Sequence, residues 1–247
     1  MVVTGGGKGI GRATVAAFAK RGDTVIAVGR DQRALDDTVA AVASLEGAVS
    51  AEVCDVTDEV AVTSLFESVD AVDVLVNNAG VAASAPVHRL TLEDWNRHLA
   101  VNSTGFFLCA RAVLGAMRER GEGRIVLIAS VAALRGLPYT AAYSASKHAA
   151  VGFMRSLAAE VAGSGVTANA VCPTYVDTEM TERTIGRIAE STGRTRAEAE
   201  AAVASQSPLG RLLEPREVAA AALFLASSEA ASINGQTLVL DGGGIQG

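Results

Sequence analysis

The sequence predicts an α/β fold: a doubly wound, seven-stranded parallel sheet with helices on both faces, three layers in all. Three observations carry this. Short Val- and Ile-rich runs alternate with amphipathic helical segments along the 247 residues, the pattern of a parallel sheet with crossover helices. The first run leads through a glycine-rich turn directly into a helix. The fifth run, Gly123-Arg124-Ile125-Val126-Leu127-Ile128-Ala129-Ser130, is apolar with little alternation, as suits a strand buried on both faces.

Composition narrows the function classes. The length suits one domain spanning 1–247, with enough chain to bury a sizeable core. A net charge of -6 argues against non-specific nucleic-acid binding. No apolar run approaches the ~20 residues of a membrane span, and no basic segment followed by an apolar one marks a secretory signal. Cys54, Cys109 and Cys172 are far apart with apolar neighbours, which favours buried, reduced thiols in a cytoplasmic protein. His88, His98 and His148 lack metal-ligand spacing and read as surface or helix positions, so no metal is expected.

The first strand, residues 1–4, is followed by Gly5-Gly6-Gly7-Lys8-Gly9-Ile10-Gly11 and a helix over 12–20 that Gly22 stops. Glycines let the backbone turn sharply and let a pyrophosphate approach the amides, and the helix N-terminus adds partial positive charge. In this context the motif, T-G-x-x-x-G-x-G on Thr4, Gly5, Gly9 and Gly11, reads as a dinucleotide site. The second strand, 24–28, ends at Gly29-Arg30, where a carboxylate would bond a ribose 2′-hydroxyl. The acid is missing, a cation stands there, and Lys8 adds another. Together they favour NADP(H) over NAD(H), with Asp31 blurring the preference. A helix over 31–44 and a third strand over 49–53 follow, then Asp55-Val56, with Asp58 capping a helix over 59–69. The fourth strand, 72–76, leads into Asn77-Asn78-Ala79-Gly80, a turn by composition.

Thr91 caps the next helix, in which Trp95 reads as core, and a long helix over 104–118 follows Asn102. A polar Asn102 among apolar neighbours needs partners if buried; a kink or cap would account for it. Ser130 ends the fifth strand, at the edge where open α/β sheets bind ligands. After a loop over 131–142 comes a helix carrying Tyr143 and Lys147, four apart and on one face. A neighbouring cation favours phenolate and lowers a Tyr pKa, moving it toward the range useful for general acid–base work. The sixth strand covers 166–171 and the seventh 237–240. Between them, 179–207 reads as two short helices broken at 191–194, with a Thr195/Glu198 capping box. Arg183, Arg187, Arg194 and Arg196 there suit either a solvated face or an anionic substrate. Pro215 suits a helix start.

From Thr4 to Gly243 the chain resembles the short-chain dehydrogenase/reductase family, in particular its 3-oxoacyl-[acyl-carrier-protein] reductase-like members. The glycine spacing, N-N-A-G, and the ordered set Asn102, Ser130, Tyr143-x-x-x-Lys147 carry the likeness. It implies a Rossmann-type fold and hydride exchange between a nicotinamide cofactor and a ketone/secondary-alcohol pair. Tyr143 would move the proton, and Ser130 would bond the oxyanion. Lys147 would favour the phenolate and hold the nicotinamide ribose, and Asn102 would order a water. Gly5, Gly7, Lys8, Gly9, Ile10, Gly11, Arg30, Asp55, Val56, Asn78, Ala79, Gly80, Val176 and Thr178 would line the cofactor along with Tyr143 and Lys147. NADP(H) is the expected cofactor and NAD(H) the second choice. The segment 179–207 would be a substrate lid, with Leu134, Leu137, Tyr175, Met180 and Ile185 lining the pocket. The expected substrate is a small-molecule carbonyl or alcohol, a CoA- or carrier-protein-linked 3-oxoacyl thioester first, a small ketone, hydroxy acid or polyol second. A homotetramer is implied. A dinucleotide-binding sensor without turnover is the competing class. Pro173-Thr174 departs from the family's usual Pro-Gly.

Overall fold

The computed structural model describes residues 1–246. Seven strands form one sheet: β1 (Val2–Thr4), β2 (Val25–Gly29), β3 (Val49–Val53), β4 (Val74–Asn77), β5 (Gly123–Ile128), β6 (Val166–Pro173) and β7 (Thr237–Leu240). Their order is β3-β2-β1-β4-β5-β6-β7, every pairing parallel. The order reverses between β1 and β4, which opens a crevice at the carboxyl ends of those two strands.

The helices are α1 (Gly9–Lys20), α2 (Gln32–Val42), α3 (Glu59–Ser68), α4 (Leu92–Leu99), α5 (Gly105–Arg120), α6 (Ala141–Glu160), α7 (Glu179–Thr192), α8 (Arg196–Ala204) and α9 (Pro215–Leu225). Strand side chains alternate between faces, and β5 shows what each face meets. Ile125 and Leu127 join one core with Phe106, Val113 and Met117 of α5 and Met154 and Leu157 of α6. Val126 and Ile128 join the other with Phe18 of α1, Leu35 of α2 and Leu225 of α9. This two-sided burial is why the fifth run shows so little alternation.

Local chemistry sets the helix ends. Asp58 accepts from the Val60 and Ala61 amides, and Thr91 from the Asp94 amide. Asp31 caps α2 from outside it, accepting from the Ala34 amide. Gly193, at φ +69°, ends α7, and the Thr195/Glu198 box opens α8. α1 begins at Gly9, within the glycine run and earlier than the sequence suggests.

Helices α4 and α5 are joined by a π-turn over Ala100–Thr104, so Leu92–Arg120 is one continuous helix. That fusion makes a helix long and apolar enough, by length and composition, to cross a membrane. No single run in the sequence has that length. Here Phe106, Cys109, Ala110, Val113 and Met117 turn inward to the core. Two packing expectations fail. Trp95 stays half-exposed, because the buried residue of α4 is His98. Ile185 is fully buried against Ala199 and Val203, where α7 packs on α8.

Candidate active site

The crevice is a groove of about 480 Å³. Gly5, Gly7, Lys8, Gly9 and Ile10 form its floor beside β1. Arg30, Asp55 and Val56 line one end; Asn78, Ala79 and Gly80 follow β4, and Thr178 stands at the start of α7. Threonine and asparagine side chains hold this floor in place. Thr4 Oγ1 accepts from the Asn78 and Ala79 amides, and Asn78 Nδ2 donates to the carbonyls of Thr4 and Gly5.

The glycines have different jobs. Gly5 (φ +66°) and Gly9 (φ +49°) occupy the left-handed region, which glycine enters without steric cost. A Cβ on Gly9 would come within 3.0 Å of the Thr178 side chain across the groove. Gly11 does not line the groove. A Cβ there would lie 2.0 Å from the Gly5 carbonyl oxygen, so its role is close packing of α1 on the loop. Val176 does not line it either; it is buried in the core and bridged to Leu213.

Cation placement is less simple than the sequence suggests. Arg30 pairs with Asp55 at 3.4 Å, and Lys8 stands between Asp31 (3.6 Å) and Glu179 (3.5 Å). Partial burial pushes the Asp55 carboxyl up, but the Thr57 amide and hydroxyl and the Arg30 guanidinium together hold it below the usual range. The groove suits a dinucleotide pyrophosphate. Unlike α2, α3, α4, α7 and α8, helix α1 has no side-chain cap and no acid in its first turn, so its amides are free to meet an anion.

Past Gly80 the four sequence-picked residues come together. The carboxyl end of β5 brings Ser130, α6 brings Tyr143 and Lys147, and the π-turn brings Asn102. Lys147 is buried; its Nζ donates to the Ile128 carbonyl at 2.9 Å and lies 5.9 Å from the Tyr143 ring centroid. Burial pulls its ammonium down to about 8, with the nearby Cys172 thiol opposing. Burial likewise raises the Tyr143 phenol, against the Ser130 hydroxyl, which lowers it. The sequence predicts the opposite direction for Tyr143. The difference arises because Lys147 is itself desolvated and directed at a carbonyl, so burial outweighs it. Ser130 Oγ accepts from the Ala132 amide at 3.1 Å.

Asn102 is buried and bonded through both of its polar atoms. Its Oδ1 accepts from the Val81 amide at 2.8 Å, and its Nδ2 donates to the Val81 carbonyl and to Ser146 Oγ. Sequence reasoning missed His98, which is buried and also lines the groove. The signal was available: His98 lies four residues before Asn102, one helical turn away. Of the predicted pocket residues, Met180 lines the groove, as do Arg183 and Arg187. Arg183 pairs with Glu179, and Arg196 turns to Glu182 instead. Tyr175 packs beside the α7–α8 cluster.

A family sequence model described as enoyl-(acyl carrier protein) reductase matches residues 5–244. The chain belongs to the short-chain dehydrogenase/reductase family. It is 42% identical over 246 residues to D-threitol dehydrogenase of Mycolicibacterium smegmatis, covering 98% of this chain and 91% of that protein. It is 37% identical to 3-oxoacyl-[acyl-carrier-protein] reductase of Thermotoga maritima, covering 98% and 96%. Among solved structures, a variant of actinorhodin polyketide ketoreductase with NADPH superposes with a TM-score of 0.94 at 35% identity, covering 98% and 95%. This short-chain dehydrogenase/reductase is therefore a Rossmann-fold oxidoreductase acting on CH–OH groups, and the NADPH in its solved neighbour supports a nicotinamide dinucleotide as cofactor.

Proposed function

We propose that this short-chain dehydrogenase/reductase is NADP(H)-dependent and interconverts a ketone and a secondary alcohol, with a 3-oxoacyl thioester of CoA or a carrier protein as its substrate. The observation that carries the reading is the convergence of Ser130, Tyr143 and Lys147 beside Gly80, where the groove meets the end of β5. The bound cofactor supplies or accepts the hydride; the remaining work falls to these side chains. Tyr143 gives its proton to the carbonyl oxygen during reduction; burial raises its pKa and so favours the protonated form. Ser130 donates a hydrogen bond to the same oxygen as charge develops there. Lys147 holds the nicotinamide ribose and favours the phenolate that follows. A Cβ placed on Gly80 would lie 3.2 Å from Asn102 Oδ1 and 3.6 Å from Lys147 Nζ. Asn102 Oδ1 and Lys147 Nζ thus flank the space beside Gly80, and Oδ1 keeps one lone pair for a water there.

Arg30 and Lys8 favour the 2′-phosphate of NADP(H); Arg30 also offsets Asp55, and Lys8 is shared between Asp31 and Glu179. The chain forms one domain in which 179–207 acts as a lid: Glu179, Met180, Arg183 and Arg187 present one face of α7 to the groove. Those two arginines suit an anionic thioester carrier. The 42% identity to a D-threitol dehydrogenase supports a polyol as a second reading. Partly exposed Phe224 and Leu238, on the last helix and strand, suit a subunit interface of a homotetramer.

NADPH absorbance followed with acetoacetyl-CoA, cyclic ketones and sugars separates these readings, with NADP⁺ reduction on polyols run beside it. Clear NADPH binding without turnover on any of them would leave a sensor. Tyr143→Phe is expected to bind NADPH normally and to lose roughly a hundredfold or more of turnover, the scale of general acid catalysis. Turnover within about tenfold of the parent, ~1.4 kcal/mol of barrier, would remove Tyr143 from its role.

A further inference from the structure

The wall that continues from Gly80 is an extended strap, and it is fastened at every second residue. The Val81 amide donates to Asn102 Oδ1 at 2.8 Å, the Ala83 amide to His98 Nε2 at 3.0 Å, and the Ala85 amide to the Tyr139 carbonyl at 2.8 Å. Two of the three fasteners are side chains one turn apart on the helix that runs through the π-turn. Val81, Ala82 and Ala83 face the groove, so the fasteners set the position of its wall.

The partners of His98 determine its chemical form. Nδ1 lies 2.6 Å from the Asp94 carbonyl oxygen, which can only accept, so Nδ1 carries the proton. Nε2 receives the Ala83 N–H, so Nε2 carries none. His98 is 2% exposed, and its ring meets the Tyr143 ring edge-on, with centroids 6.4 Å apart and planes at 77°. One imidazole thus touches both the strap and the residue assigned the proton transfer.

We propose that His98 is a positioning residue of the reaction centre. As the neutral Nδ1–H tautomer it fastens the strap at Ala83 and supports the Tyr143 ring, and its protonation releases the strap and lowers turnover. The proposal rests on the reading of Tyr143 as the proton donor. The bond pattern supplies the reason: a proton on Nε2 would set its N–H face to face with the Ala83 N–H. Across from His98, α6 presents Tyr143, and α4 itself carries Asp94 and Arg97. Arg183 and Arg187 of α7 share the groove. The Asp94 carboxylate is turned to the Thr91 hydroxyl. Residues 81–85 bear no titratable side chain.

The test combines pH profiles with nitrogen NMR. In the wild type, kcat/KM should fall on the acid side with one proton. In His98→Leu that limb should disappear and the plateau should drop roughly ten- to a hundredfold, the scale of a misplaced reacting group, with NADPH affinity little changed. A variant that keeps the acid limb or the full plateau overturns the proposal. The chain has three histidines, so ¹⁵N-labelled wild type reports the tautomer directly without any substitution. Neutral Nδ1–H at His98, lost over the pH range of the activity limb, is the expected result. The Nε2–H tautomer, or loss over another range, overturns the proposal even if the Leu variant fails to fold. Tyr143→Phe, measured in parallel, tests the underlying reading separately: if it stays active, the proton donor is misassigned, whereas the tautomer still reports on the strap.

Discussion

Lys147 is a cation that the fold holds at a cost, and replacing it should reveal the size of that cost. It is 4% exposed, and among the described residues the Ile128 carbonyl is its one hydrogen-bond partner. Burial lowers its pKa from the ordinary 10.5 to about 8, which corresponds to about 3 kcal/mol against the charged form. The sign follows from linkage. Below about pH 8 the folded protein must hold a charge that the unfolded chain carries freely, so the penalty is full. It fades as pH rises from there toward 10.5, where the unfolded chain also loses its proton. Lys147→Met removes the penalty and leaves the Ile128 carbonyl without its donor, a loss of about 1–3 kcal/mol. The variant is therefore expected to match or exceed the parent by up to about 2 kcal/mol near neutral pH. By about pH 9.5 it should have lost roughly 2 kcal/mol of that relative advantage. Urea midpoints of both cofactor-free proteins at the two pH values measure this, provided the slopes agree. A stability difference that stays constant between the two would refute the buried-cation argument. Turnover should be lost throughout, since a group kept at a stability cost is retained for function.

Two further substitutions probe the cofactor floor. Gly11→Ala places a methyl 2.0 Å from the Gly5 carbonyl oxygen and 2.6 Å from Asn78 Nδ2. It should destabilise the protein by about 1–3 kcal/mol and weaken NADPH binding; wild-type melting with wild-type affinity would show that the loop can yield. Arg30→Asp exchanges the proposed 2′-phosphate contact for a carboxylate. The kcat/KM ratio of NADPH to NADH should then fall roughly tenfold or more, as for a lost charge-assisted bond. An unmoved ratio would reassign the phosphate contact to Lys8 or to another group.

The strand pattern was legible because burial on one or both faces of a sheet writes itself into the order of apolar residues. All seven strands appear, with ends displaced by a few residues where pairing with a neighbour extends a strand, as at Pro173, which pairs with Leu240. The placement of the glycine run, of Asn78 to Gly80, and of Ser130, Tyr143 and Lys147 was legible for a related reason: each lies at the end of a strand or on a helix whose position the topology dictates. Where the structure departs from the sequence reading, the difference lies in burial and in partners. Gly11 ends the glycine run and Val176 stands two residues before Thr178, and the fold packs the one against a carbonyl and turns the other to the core. The resemblance places Ile185 in the pocket lining, but α8 covers it.

The chain by itself determined the layered α/β architecture, the dinucleotide groove and the residue types available for proton transfer, because these depend on periodicity and on local spacing. Only the tertiary structure decided which way the Tyr143 phenol and the Lys147 ammonium are shifted, since desolvation depends on what surrounds a group. It alone brings the Asp94 carbonyl and the Ala83 amide to the two nitrogens of His98, the contacts on which the proposed tautomer rests.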